Sequence, residues 1–256
     1  MKSFVAFLKK ELLEQIRSGK LLIVGAFFLV LGIMNPAIAK LTPWLLEMFA
    51  DSLLESGMII TEVKVSAMDS WVQYFKNLPI GLIAFVLLEA SIFTAEYGSG
   101  TLVLSLTKGL CRFKVVLSKA VVLAALWTLG YFVCFGVTYL YNGYFWDNSV
   151  AKSLGFSVIS WWLFGLFVVS LVTLFSTLSY ANTGVLIGSG GIAFGSYMLG
   201  LLPKIGKYLP TQLMDGNSLI YGMAEPKEYL AAIIVTAIAT AACFAVSIPI
   251  FNKKQL

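Results

Sequence analysis

The 256-residue chain is 59% hydrophobic and only 12% charged, carries a net charge of +5 and contains no histidine. A soluble domain has roughly 25% charged residues, so no water-soluble core of this length would hide so much apolar surface, and the chain reads as an integral membrane protein. The absence of histidine removes the Ser–His and His–Asp pairs of hydrolases and the usual zinc sites, and the basic residues form nothing like a nucleic-acid patch.

A helix rising about 1.5 Å per residue needs about 20 apolar residues to cross the hydrocarbon layer. Six runs qualify, at approximately 21–39, 79–95, 115–138, 157–178, 183–202 and 230–251. They are continuous rather than alternating, which excludes transmembrane β-strands. The predicted fold is all-α and polytopic, with six transmembrane helices in one membrane domain over 1–256.

Residues 2–18 precede the first run as an amphipathic helix. Phe4, Leu8, Leu12 and Ile16 recur on one stripe, and Lys10, Glu14 and Arg17 lie opposite. Gly19 allows a turn into the span. A basic amphipathic helix lies in the headgroup plane, so the segment 1–20 is read either as an anchor that sets topology or as an elbow helix that also touches a partner. Residues 1–39 are not a cleaved signal despite the Ala37-Ile38-Ala39 sequence, because the charged leader and the apolar run are both too long.

Residues 40–78 form the largest outer segment and are expected to lie as a small cap of two helices, with Pro79 opening the second span. Glu89 is the one carboxylate clearly inside a span, a costly position that marks a functional candidate. Its two readings are a structural hydrogen bond near the inner end and a proton-coupling group. Glu96 follows seven residues later on nearly the same helix face. Beyond it Gly98 and Gly100 permit an abrupt turn, Thr101 is placed to cap a short helix, and Leu102, Leu104 and Leu106 give that helix an apolar surface in need of a partner groove. Lys108, Arg112, Lys114 and Lys119 then lead into the third span.

The fourth and fifth spans are joined by the tight polar hairpin Ser179-Tyr180-Ala181-Asn182. In the fifth, Gly184/Gly188 and Gly191/Gly195 are each four residues apart, a spacing that lets helix backbones approach closely, either within the chain or at a subunit interface. The outer loop 203–229 holds Pro203, Pro210, Gly216, Gly222 and Pro226 and reads as an irregular or re-entrant connection.

Six spans put both termini on one side. With the N-terminus inside, 11 of the 18 Lys and Arg residues are inner, while the seven outer ones are diluted by nine outer carboxylates, so both termini are expected in the cytoplasm. Trp44, Trp71, Trp146, Trp161 and Trp162 fall near outer span ends and only Trp127 falls mid-span. Cys111 lies in the inner loop, whereas Cys134 and Cys243 lie in spans, so neither an outer disulfide nor a metal site is expected.

The loop pattern resembles the first cytoplasmic loop of type-2 ABC-transporter permeases. In that family a Glu, a Gly-Thr-Leu, a leucine-rich turn, an Arg and a later Lys recur, and here they stand as Glu96, Gly100-Thr101-Leu102, Arg112 and Lys119. Gly109, Leu110 and Cys111 depart from the Pro and Ser that often precede the Arg. The resemblance implies a non-catalytic permease subunit with an N-terminal elbow helix and a cytoplasmic coupling helix within 96–114. It implies residence in a bacterial plasma membrane, pairing as a homodimer or with a related permease, contact with lipid and no nucleic acid.

By the same resemblance, Glu96, Gly100, Thr101, Leu102, Leu104, Leu106 and Arg112 would couple to a cytosolic ABC ATPase. No cofactor is expected on this chain, which has no P-loop; ATP and Mg would bind the ATPase. The implied activity is export of an amphipathic or hydrophobic cargo such as a peptide, antimicrobial or lipid. The alternative is a proton-coupled secondary carrier using Glu89, which should show two related three-span halves.

Overall fold

The computed structural model describes residues 2–48 and 64–255, and the regular structure among them is helical. Helix α1 (Lys2–Arg17) turns at Gly19, whose φ of +75° suits glycine, into α2 (Lys20–Met48). After the undescribed stretch come α3 (Ala67–Glu89), α4 (Ser91–Ser99), α5 (Thr101–Thr107) and the long α6 (Arg112–Phe145). Helices α7 (Leu154–Leu178) and α8 (Asn182–Gly200) form a hairpin. The short α9 (Pro203–Gly206) and α10 (Gly216–Ile220) then lead to α11 (Leu230–Lys253).

Among the described residues, five stretches are long and apolar enough to cross a membrane: Lys20–Leu45, Ala67–Ser99, Arg112–Phe145, Leu154–Leu178 and Pro226–Lys253. The segment expected as the fifth span is helical, as α8, 19 residues long, but its glycines contribute no apolar side chain and it is not among these five.

Pro79 does not open the second span as the sequence reading expects. Pro36 and Pro43 both lie inside α2, and Pro79 lies inside α3, which begins at Ala67. A proline leaves the carbonyl four residues earlier without its helical donor. For Pro36 that carbonyl belongs to Gly32, and the Thr138 hydroxyl of α6 donates to it at 3.0 Å. A neighbouring helix thus restores the bond that water cannot supply within a membrane. The start of α3 is fixed instead by Asp69, whose carboxylate accepts from the Ser66 N–H at 2.8 Å. Of the expected outer cap, residues 40–48 continue α2, residues 64–78 include the start of α3, and 49–63 lie outside the described residues.

Helix α2 packs between α3 and α6, while α7 sits centrally against α6, α8 and α11. Trp127 is the hub of the core, edge-on to Phe28 and Phe85 and tilted onto Tyr131. Its indole N–H donates to the Trp162 carbonyl at 3.2 Å. Gly165 makes room for it, since a Cβ there would stand 2.1 Å from the indole. Trp71 and Trp161 lie toward the N-terminal ends of α3 and α7, and both are buried, donating to Asn148 Oδ1 and to the Met214 carbonyl. The loop 203–229 consists of short helical turns packed on the bundle rather than an irregular connection. Leu213, Leu219 and Ile220 are buried, and the Ile220 carbonyl accepts from the Lys152 N–H at 3.0 Å.

Candidate functional site: a short helix braced by buried charges

Both described ends of the chain meet at one end of the bundle. Lys114 donates to Ser3 at 2.8 Å, and the Arg112 guanidinium donates to the carbonyls of Phe251 and Lys254 at 2.9 and 2.6 Å. The α7–α8 hairpin joins them, with the Lys254 ammonium donating to the Thr177 and Ser179 carbonyls at 3.0 and 2.6 Å. At this same end α5 protrudes between two left-handed glycines, Gly100 at φ +67° and Gly109 at φ +87°. The abrupt turn therefore belongs to Gly100, while Gly98 lies within α4. Thr101 takes the first helical position rather than the cap, and its hydroxyl lies 2.9 Å from that of Ser99.

The three leucines of α5 do not share one surface. Leu102 is 1% exposed and Leu106 is partly buried against the core, whereas Leu104 is 59% exposed beside an exposed Val103. A helix has 3.6 residues per turn, so the i, i+2, i+4 spacing points these side chains in different directions. The free apolar surface is Val103 and Leu104, next to a groove of about 460 Å³ lined by Val103, Leu106, Thr107, Leu110, Cys111 and Arg112.

Between α1, α4 and α6 lies a cluster of charges in which Glu11, Glu96 and Lys119 are buried while Lys10 and Glu14 are partly exposed. Lys119 of α6 is 1% exposed, and its ammonium lies 2.7 Å from Glu11 Oε2, 3.0 Å from Glu96 Oε2 and 2.8 Å from the Ile92 carbonyl. Lys10 reaches Glu11 at 3.0 Å and Glu14 at 2.8 Å, and it also pairs with Glu96. Oxygens of Glu11, Glu14 and Glu96 converge within 4.8 Å, a spacing that could hold a cation. The two lysine ammoniums take that place. Partial burial works against the charge on Lys10, but hydrogen bonds to Glu14 and Glu96 outweigh it and hold its pKa above the usual lysine value. Burial likewise opposes ionisation of Glu14, yet the Lys10 hydrogen bond keeps its pKa below the ordinary carboxylate value.

Burying such ions is costly unless each is paired and further hydrogen-bonded. The pairing here ties three elements into one unit: α1 through Lys10 and Glu11, α4 through Glu96, and α6 through Lys119. Glu89 sits about two helical turns before Glu96 and is fully buried, accepting from Gln15 Nε2 at 3.0 Å with Lys20 at 3.8 Å. It therefore faces the same helix α1, near the end of the bundle rather than at mid-depth.

The stripe of α1 that docks is Phe7, Glu11 and Gln15, spaced four apart. Of the expected apolar stripe, Phe4 and Leu8 are half-buried, but Leu12 and Ile16 remain exposed together with Val5. Sequence reasoning missed Glu11, Gln15 and the partnership of Lys119. The available signal was Glu11 itself, a carboxylate lying between Phe7 and Gln15 at helical spacing. The glycines of α8 also divide. A Cβ at Gly184 would meet Ser179 Oγ at 2.2 Å and one at Gly188 would meet the Phe175 ring at 2.1 Å, whereas Gly191 and Gly195 have nothing within 4 Å. The first pair packs within the chain; the second faces outward.

A family profile described as "ABC-2 family transporter protein" matches residues 5–219, a stretch holding most of α1, the short helix α5 and the charge cluster. The chain belongs to this family. The uncharacterized transmembrane protein YxlG of Bacillus subtilis strain 168 is 24% identical over 224 residues, covering 83% of each chain. No solved structure matches. Membership makes this chain a multi-pass permease component of an ABC transporter, a membrane part that is generally non-catalytic and works with an ABC ATPase.

Proposed function

We propose that this ABC-2 protein is the membrane half of an ATP-driven exporter, paired with a second permease copy and two cytosolic ATPase subunits. The observation that carries this reading is α5, which offers Val103, Leu104 and the adjoining groove outward while Glu96 is clamped from below by Lys10 and Lys119. A partner that moves α5 must also move α1 and α6, because charges buried this deeply do not part cheaply. Arg112 then serves as a brace rather than a docking contact, since its guanidinium already donates to C-terminal carbonyls.

Helix α8 is taken as a sixth crossing. Nineteen residues span about 28 Å, close to the hydrocarbon thickness of about 30 Å. One end of α8 meets Thr94 through Asn182, beside the charge cluster, and the other meets Thr211 through Gly200. Six crossings put both termini on one side, and the excess of Lys and Arg there assigns that side to the cytoplasm of a bacterial cell. The open Gly191/Gly195 face suits close approach of a second copy. The apolar crevice between α3, α7 and α8, about 410 Å³ and lined by residues such as Leu82, Val86, Phe164 and Phe194, suits an amphipathic or hydrophobic cargo.

The docking test uses Val103→Asp with Leu104→Asp, sparing the buried Leu102. Co-purification of the ATPase should fall by more than about tenfold while membrane insertion is retained; undiminished association would overturn the assignment of α5. Topology is read from Cys111, which is exposed. In a variant keeping only this cysteine, an impermeant maleimide should label permeabilised cells and leave intact cells unlabelled. Labelling of intact cells would reverse the orientation.

A further inference from the structure

We infer that the end of the bundle opposite the charge cluster holds a binding site for an anionic phospholipid, built from Lys40 and a groove between α2 and α6. The groove is about 440 Å³ and is lined by Ile33, Pro36, Ala37, Leu41, Tyr141 and Phe145, with Lys40 at its rim. Its origin lies in the local sequence. Helices α2 and α6 approach closely at Gly32, where a Cβ would stand 2.9 Å from the Cys134 carbonyl oxygen and 2.9 Å from Val137 Cβ. One turn further along, Pro36 interrupts the helical hydrogen-bond ladder, a common cause of bending. The groove opens from that point toward Lys40.

Depth fits the ligand. Lys20 and Lys40 are 20 residues apart on one helix, or about 30 Å, which matches the hydrocarbon thickness of a bilayer. Lys40 therefore stands at one interface when Lys20 stands at the other, and Ile33 lies about 10 Å deeper. A cation at headgroup level above an apolar slot running into the hydrocarbon is complementary to a phosphate with its acyl chain.

The cation is also held in place. The Lys40 ammonium lies 3.6 Å from the centroid of the Phe145 ring, and Phe145 packs on Tyr141 with ring centroids 6.3 Å apart. Among the described residues no carboxylate is paired with it. Trp44 and Tyr144 are both exposed nearby in sequence, as amphipathic rings are at a membrane interface. The site stands apart from the ATPase-docking face and does not depend on the transport reading.

The experiment counts lipids retained by the purified protein in native mass spectrometry, after equilibration with equimolar dioleoyl phosphatidylglycerol and dioleoyl phosphatidylcholine. The wild-type protein should retain the anionic lipid preferentially. Lys40→Gln should reduce that preference about fivefold, the contribution of one basic residue at a membrane surface, and Lys40→Arg should keep it. Ala37→Trp, which fills the groove while leaving the charge, should lower retention of both lipids. The exposed Lys227→Gln serves as the control and should change nothing. Equal retention of the two lipids by the wild type, or an unchanged preference in Lys40→Gln, would overturn the site. Full retention in Ala37→Trp would overturn the groove as the place of the acyl chain.

Discussion

Lys119→Met is expected to destabilise the protein by about 3–5 kcal/mol, the cost of removing one partner from a buried ion pair. Its ammonium touches Glu11, Glu96 and the Ile92 carbonyl and is 1% exposed. Without it, two carboxylates buried at 2% and 5% exposure face each other across the single ammonium of Lys10. By the scaling of soluble domains of about this size, that cost corresponds to a fall of roughly 10 °C in apparent melting temperature. The informative arm is the double variant Lys119→Met, Glu11→Gln. It removes one positive and one negative charge together and leaves Glu96 paired with Lys10. If the cluster is an electrostatic unit, the double variant will be more stable than Lys119→Met alone, a coupling of the kind that contacting residues show. Thermal unfolding of the detergent-purified protein measures both. Simple addition of the two single effects would mean that the side chains act independently and that α1, α4 and α6 are not linked through them.

Gly165→Leu is the second large effect, expected to cost about 3 kcal/mol or slightly more, at the upper end of what overpacking a core costs. The first atom added would stand 2.1 Å from the Trp127 indole. That ring cannot easily retreat, because it is fully buried and its N–H is committed to Trp162. Gly191→Leu provides the contrast. Its Cβ meets nothing within 4 Å, so the stability of the single chain should change by less than about 0.5 kcal/mol, and an effect should appear instead in the yield of cross-linked pairs. Comparable losses of melting temperature in the two variants would show that α8 is packed on both faces and would remove the outward glycine pair as a pairing surface.

Much of the architecture was legible in the sequence because a membrane imposes a simple rule. Every backbone polar group must be satisfied within the segment, so long apolar runs become helices, and the runs at 157–178 and 230–251 end within about three residues of α7 and α11. The turn after Glu96 was legible for a similarly local reason, since Gly100 and Gly109 supply the left-handed residues that bound α5. Where composition was diluted by glycine, in α8, the signal weakened. Where Pro79 suggested the start of a span, the reading failed, because the helix already begins at Ala67 with the Asp69 carboxylate accepting from the Ser66 N–H; Pro36 is likewise carried inside α2, where the Thr138 hydroxyl satisfies the Gly32 carbonyl from 106 positions further along the chain.

The sequence by itself determined that this is an all-helical membrane protein, that a short helix leaves the bundle after Glu96, and which carboxylates and basic residues border it. Only the tertiary structure decided what those residues touch. Local periodicity identifies a helix face but not the element that covers it, so it favoured the Phe4–Ile16 stripe of α1 over the Phe7–Glu11–Gln15 stripe that docks. In the same way it grouped Leu102 with Leu104, although packing buries the first and leaves the second exposed. The charge cluster joins residues 10, 11, 96 and 119. Such a set forms because three helices converge at one end of the bundle, where each ion lowers the cost of burying the next, and no spacing along the chain encodes that convergence.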